Sequence, residues 1–218
     1  MKTGIFFAAK PEAAALLSNG FFGWKKIGNG FYESKKTDSI LCISGVGKEK
    51  AAQAVSLLAQ NCDEIFILGT CAALTPELSV FTFCLPNLGV VSENCRNTSI
   101  PDEKLSAKLI TALSTLKIDY KTDLKLVTAN NLIATKEQAE NLRSYTNAVI
   151  GDMESAAILE ELGKTQIPAA ILRVVSDNPA NGISPLDSGN DSQVNKWVEN
   201  TAKISKLFPD IVKILLSL

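Results

Sequence analysis

Seven short apolar runs recur along this chain, interleaved with amphipathic stretches, and that alternation limits the fold more than any other feature of the sequence. Runs of this length suit strands buried on both faces, and the amphipathic stretches suit helices that cover such a sheet. Strands are expected over residues 3–8, 40–44, 64–68, 80–85, 125–128, 148–151 and 169–175. Helices are expected over 12–17, 48–60, 102–116, 135–144, 153–162 and 192–216. The expected class is α/β, with a central mixed sheet in a three-layer arrangement. No compositional break divides residues 1–218, so the expectation is one large domain.

Charge and cysteine usage exclude several kinds of partner. The 22 basic and 23 acidic residues give a formal charge of −1 without large blocks, which leaves no electrostatic footprint for nucleic acid or an anionic membrane. A small molecule or another subunit is the expected partner. The five cysteines include no Cys-x-x-Cys and histidine is absent, so neither a zinc site nor a disulfide framework is expected and the pattern fits a reduced cytoplasm. The GIFFAA run is too short for a signal segment, and no stretch reaches the ~20 apolar residues of a membrane span.

Chemistry concentrates where apolar runs end. Pro11 directly before Glu12 marks a helix start, because the first turn has no use for the amide that proline lacks. Ligands of open α/β sheets collect outside the carboxyl ends of strands, where Glu12, Gly45, Thr70, Glu154 and Asp177 are all expected. GDMESAA at 151–157 and LRVVSDN at 172–178 place a glutamate at a helix start and an aspartate at a strand exit. Residues 91–101 and 178–191, rich in Asn, Ser, Gly and Pro, read as surface loops. Each acid also has a plain structural reading: Glu12 as a partner of the helix dipole, Glu154 as a solvated helix residue, Asp177 as a cap for the following loop. Arg173 has two readings as well, a ligand of the site or an ion-pair partner for Asp152 or Glu154. GVGKEK lacks the spacing of a triphosphate loop and reads as a tight turn feeding a helix.

Five segments, GIFFAAKPE, SGVGKEKAA, GTCAALTPELSV, GDMESAA and LRVVSDN, together resemble the purine nucleoside phosphorylase and nucleosidase superfamily, in the order and spacing of that family over almost the whole chain. The nearer resemblance is to its 5′-methylthioadenosine/S-adenosylhomocysteine nucleosidase branch. Phosphorylase-like proteins associated with hopanoid synthesis and futalosine hydrolases are related branches. The resemblance implies a mixed sheet flanked by helices, a homodimer or larger homo-oligomer, a nucleoside substrate, and chemistry without metal or organic cofactor. It assigns water activation to Glu12, the ribose hydroxyls to Glu154, and proton donation to the purine to Asp177. Thr70 and Arg173 would orient the water, Met153 would lie against the ribose, and Ile133 would offer backbone groups to the base edge.

Those residue types suit the reaction. An N-glycosidic bond breaks through an oxocarbenium-like state, so a carboxylate beside the sugar stabilises charge that the substrate lacks. A positioned acid that protonates the departing base contributes about 10² to 10⁴ in rate. Phosphorylases of the superfamily usually carry an arginine two residues before the glycine that is Gly69, where this chain has Ile67, and residues 1–20 contain none. Arginine is the favoured bidentate phosphate ligand, so its absence favours water as the nucleophile. A phosphorylase using other cations, or a nucleoside-binding homologue with little turnover, is the alternative. Two departures bear on the substrate: Gly69-Thr70-Cys71-Ala72-Ala73 replaces a glycine-rich run, and Leu132 stands where an aromatic usually stacks on adenine.

Overall fold

A computed structural model describes residues 1–94, 98–181 and 191–218, with the side chains of 191–196 left aside. In chain order the elements are β1 (Thr3–Phe7), α1 (Lys10–Ser18), β2 (Lys25–Gly28), β3 (Phe31–Ser34), β4 (Ser39–Ile43), α2 (Lys48–Ala59) and β5 (Glu64–Ala73). There follow β6 (Phe83–Cys84), β7 (Gly89–Ser92), β8 (Thr98–Ser99), α3 (Glu103–Thr115), β9 (Tyr120–Lys121), β10 (Lys125–Thr128) and α4 (Lys136–Thr146). The last are β11 (Ile150–Asp152), α5 (Ser155–Gly163), β12 (Ala169–Asp177), a 3₁₀ turn (Pro179–Asn181), α6 (Asp191–Ser205) and α7 (Phe208–Leu215).

The described strands form one mixed sheet in the order β2-β3-β4-β1-β5-β11-β10-β7-β8, while β12 pairs with β5 and β6. Side chains of a strand alternate between its faces, and the two central strands sort their residues accordingly. Ile65, Ile67, Cys71 and Ala73 of β5, with Ile171 and Val175 of β12, pack with α2 and α5. Phe66 and Leu68, with Ala170, Leu172 and Val174, pack on the opposite side with α1, α3 and α7. These are the helix layers on either side of the sheet, in agreement with the expected α/β class.

A gap along β5 positions the site. β12 runs parallel to β5 as far as Asp177 opposite Ala72, and so occupies one edge. The other edge is shared. Parallel β1 ends its pairing at Phe6 opposite Ile67, and antiparallel β11 pairs Gly151 with Ala72 and Ile150 with Ala73. The ends of β1 and β11 therefore face one another, and between them residues 68–71 have no strand partner on that edge.

Several boundaries differ from expectation. The expected strand 64–68 continues to Ala73, because pairing with β12 and then β11 carries it on. The expected strand 80–85 shrinks to Phe83–Cys84, since Phe81 adopts φ 72°, which a strand cannot include. The single helix expected over 192–216 is two, α6 and α7. Pro209 in the first turn of α7 cannot donate to the preceding turn, and the chain breaks at Lys206 and Leu207. Residues 91–101, expected as a loop, contribute Val91 and Ser92 to β7 and Thr98 and Ser99 to β8, an antiparallel pair. Residues 95–97 of that expectation, with Cys95 and Arg96, lie outside the described residues, as does 182–190 of the second expected loop. Among the described residues no helix is long and apolar enough to cross a membrane.

Candidate active site

Glu12 sits in the first turn of α1 and is buried, 4% exposed. Its two carboxylate oxygens do different things. Oε2 accepts the Ala9 backbone N–H (2.9 Å) and closes the start of the helix. Oε1 accepts both the backbone N–H (2.7 Å) and the hydroxyl (2.8 Å) of Thr70. Thr70 lies in the gap of β5, so its N–H, lacking a strand partner, takes the carboxylate instead. One side chain thus closes the start of α1 and holds Thr70 of β5.

Glu154 immediately precedes α5 and is also buried. Its Oε1 accepts the backbone N–H of Gly47 at 2.8 Å. Gly47 holds φ 109°, a conformation that side chains with a Cβ resist, and this turn aims its amide at the carboxylate. GVGKEK is therefore a turn that feeds α2, as its spacing suggests, and it also binds a carboxylate. Burial pushes the Glu154 carboxyl up to about 7, Asp152 and Glu12 add to the shift, and the Gly47 amide and Arg173 oppose it.

Arg173 leaves β12 opposite Gly69 and crosses β5 at that residue. A Cβ on Gly69 would lie 2.6 Å from Arg173 Nη1 and 2.9 Å from Glu12 Oε1, so only glycine leaves room for the crossing. On the far side Nε and Nη2 donate to Asp152 Oδ2 (3.0 and 2.8 Å), and Nη2 also donates to the Ser155 hydroxyl (2.8 Å). Burial pulls the guanidinium down, but Asp152, Glu12 and Glu154 outweigh it and hold the group protonated. Of its two expected readings, the ion pair is formed with Asp152.

Asp177 closes β12 after a register shift between Val175 and Asp177. The Ser176 hydroxyl donates to Asp177 Oδ1 (2.6 Å) and lies 3.3 Å from the Cys71 carbonyl oxygen. Burial pushes the Asp177 carboxyl up to about 6, against the Ser176 hydrogen bond. The capping of the next turn belongs to Asn178, whose Oδ1 accepts the Asn181 N–H (3.1 Å), which leaves Asp177 out of it.

One cavity of about 290 Å³ joins these groups. Glu12, Thr70, Asp152, Glu154, Ser176 and Asp177 supply polar lining, and Ala8, Ala9, Val46, Leu132, Met153 and Trp197 much of the apolar remainder. No lysine or arginine lines it among the described residues. A sequence profile described as the phosphorylase superfamily matches residues 11–217. The chain belongs to that superfamily.

Solved structures with the same fold include several nucleosidases. The 5′-methylthioadenosine/S-adenosylhomocysteine nucleosidase of Campylobacter jejuni superposes with a TM-score of 0.85 over 100% of both chains at 20% identity. Futalosine hydrolase of Helicobacter pylori gives 0.83 over 100% of this chain and 97% of its own at 18% identity. The Neisseria meningitidis nucleosidase, in complex with methylthio-immucillin-A, gives 0.81 over 100% and 99% at 20% identity. Similarity at this identity fixes the superfamily fold.

Six of the seven site residues expected from the sequence line the cavity: Glu12, Thr70, Ile133, Met153, Glu154 and Asp177. Arg173 does not line it; its Nη1 lies at Gly69 beside Glu12, which does. Gly45 lies in the adjoining turn at φ 86°. Val46, Ser176 and Trp197 escaped the sequence reading. Trp197 is one of two tryptophans, and its place in the polar helix α6 carries no periodic signal toward a cavity. Of the Cys71, Ala72 and Ala73 departures, Cys71 and Ala73 pack in the core with α2 and α5, whereas Cys71 and Ala72 border the cavity and Ala73 does not. The Cys71 thiol is pushed well up by burial and is inert in that setting.

Proposed function

We propose that this protein is a nucleosidase that hydrolyses the N-glycosidic bond of an adenine nucleoside with a modified 5′ position, such as methylthioadenosine or S-adenosylhomocysteine. The observation that carries this reading is the convergence of three buried carboxylates, Glu12, Glu154 and Asp177, on one cavity free of lysine and arginine lining among the described residues.

Glu154, ionised, takes the ribose hydroxyls and opposes the positive charge that grows on the sugar as the bond lengthens. Asp177 donates its proton to N7 of the departing purine. Its burial keeps the acid form present up to about pH 6, and the Ser176 hydroxyl fixes its orientation. Glu12 takes a proton from water, with Thr70 and Arg173 as the orienting groups; in support, the Thr70 hydroxyl donates to Glu12 and Arg173 Nη1 lies at Gly69 beside it. Met153 packs on the ribose and Ile133 borders the base. Val46 and Trp197 add apolar wall for the 5′ group. A phosphate nucleophile would need cationic ligands that the described lining lacks.

The apolar side chains Val46 and Leu132 line the cavity yet are 50% and 42% exposed. That exposure supports a homodimer or larger homo-oligomer whose second subunit covers the mouth, and sedimentation of the purified protein measures it. The reaction is tested by following base release from methylthioadenosine, S-adenosylhomocysteine, adenosine, inosine and futalosine, each with and without phosphate. Adenine release from the first two in phosphate-free buffer is the expected result. Strict dependence on phosphate would make the protein a phosphorylase, and stabilisation by nucleosides without product would make it a binding homologue.

A further inference from the structure

Asp152 has no step of its own in this chemistry, yet both of its oxygens are saturated. Oδ1 accepts the Thr128 hydroxyl (2.8 Å) and the backbone N–H groups of Glu154 and Ser155 (3.2 Å each). Oδ2 accepts Nε and Nη2 of Arg173 and the Ser155 hydroxyl. Thr128 in turn accepts the Ala156 N–H at 2.8 Å, so β10, β11, β12 and the start of α5 meet at this carboxylate.

The guanidinium has five N–H donors in a fixed plane. Asp152 and Ser155 take the Nε and Nη2 edge, and Nη1 carries no hydrogen bond among the described residues, lying instead at Gly69 beside Glu12. Glu154, two residues after Asp152, makes no ion pair with Arg173, and its Oε1 is held by the Gly47 amide. A buried arginine without a counterion turns to the nearest carboxylate. Two further carboxylates, Glu12 and Glu154, act on this guanidinium electrostatically.

We propose that Asp152 is a positioning residue that apportions Arg173: by holding one edge of the guanidinium it leaves Nη1 at Gly69 beside Glu12 and keeps Glu154 unpaired for the sugar. The inference rests on the nucleosidase reading for what Glu154 does, and it adds a charge effect of its own. The groups acting on Glu154 are Asp152 from β11, Arg173 from β12, Glu12 from α1 and the Gly47 amide ahead of α2. Asp152 raises its proton affinity, and removing that charge while freeing Arg173 toward Glu154 lowers it by both routes.

The test is Asp152→Asn, with Asp152→Glu as the variant that keeps the charge. The Glu154 carboxyl is titrated by carbon-13 NMR of glutamate-labelled protein, its signal assigned with Glu154→Gln, and kcat/KM for methylthioadenosine is measured across pH. In Asp152→Asn the Glu154 midpoint should fall by about one pH unit or more, the acid limb should move with it, and kcat/KM should drop at least about tenfold. Asp152→Glu should restore the midpoint. A lower melting temperature with an unmoved midpoint would overturn the proposal and leave Asp152 a structural counterion. If Asp152→Asn does not fold, Thr128→Val loosens Asp152 without changing charge, and an unaltered kcat there would overturn it too. The NMR measurement needs no turnover. A wild-type protein that releases no base defeats the nucleosidase reading, whereas a fixed Glu154 midpoint defeats this one.

Discussion

Ala72 of β5 and Asp177 of β12 are register partners, and both line the cavity. Ala72 is also paired with Gly151 of β11, so its backbone is held from both sides while its methyl group projects from the face of the sheet. C8 of a purine adjoins N7, the atom that Asp177 would protonate. Ala72→Gly is expected to raise kcat/KM for 8-substituted adenine nucleosides several-fold relative to the unsubstituted ones, measured by competition. Ala73→Gly, whose methyl lies in the core, should leave that ratio unchanged and cost ~0.5–1 kcal/mol of stability.

Asp177→Asn should lower adenine release by about 10² to 10⁴ while the fold persists. Its effect on stability has a sign set by burial. The folded carboxyl, at about 6, lies above its ordinary 3.8, so between those values the folded chain binds more protons than the unfolded chain. The contribution of Asp177 to stability is therefore full below about pH 4 and lost as pH rises through about 6. Asparagine does not ionise. The variant should melt close to wild type at pH 4 and higher at pH 7.5, by an amount on the order of 2–3 kcal/mol; equal melting at both pH values would contradict a buried, ionisable Asp177.

The pH profile of kcat/KM should be a narrow bell. Turnover requires Glu154 ionised, which favours pH above about 7, and Asp177 protonated, which favours pH below about 6. The productive form is thus a minority at every pH, with its maximum between the two values. A flat profile from pH 5 to 8 would count against these roles.

Gly69→Ala places a methyl 2.6 Å from Arg173 Nη1 and 2.9 Å from Glu12 Oε1. Neither group can yield without breaking the bonds to Asp152 or Thr70. The variant should lose about 1–3 kcal/mol of stability and fall in kcat more than it changes KM. Calorimetry and steady-state kinetics read the two effects separately.

Leu132→Phe offers the base an aromatic surface at the cavity wall. Base stacking contributes about 1–3 kcal/mol where it has been measured for nucleic acids, so KM for adenine nucleosides should fall at least about fivefold. An unchanged KM would place the base elsewhere.

The chain by itself determined the α/β class and which residues would gather. Apolar runs and helix starts are local, and Pro11, Glu12, GDMESAA and the exit after Val175 carry their signal within a few residues. The short strands β2 and β8, and β3 between β2 and β4, lacked that signal, being two to four residues long with few fully buried side chains. The tertiary structure alone decided how the gathered charges are divided. That Gly69 is the crossing point of Arg173, that Asp152 takes one edge of the guanidinium, that Gly47 meets Glu154, and that Cys71 and Ala72 border the site while Ala73 does not all depend on how segments distant in sequence are set against one another. A shift of one residue reverses every side chain of a strand, and nothing local in the chain records that register.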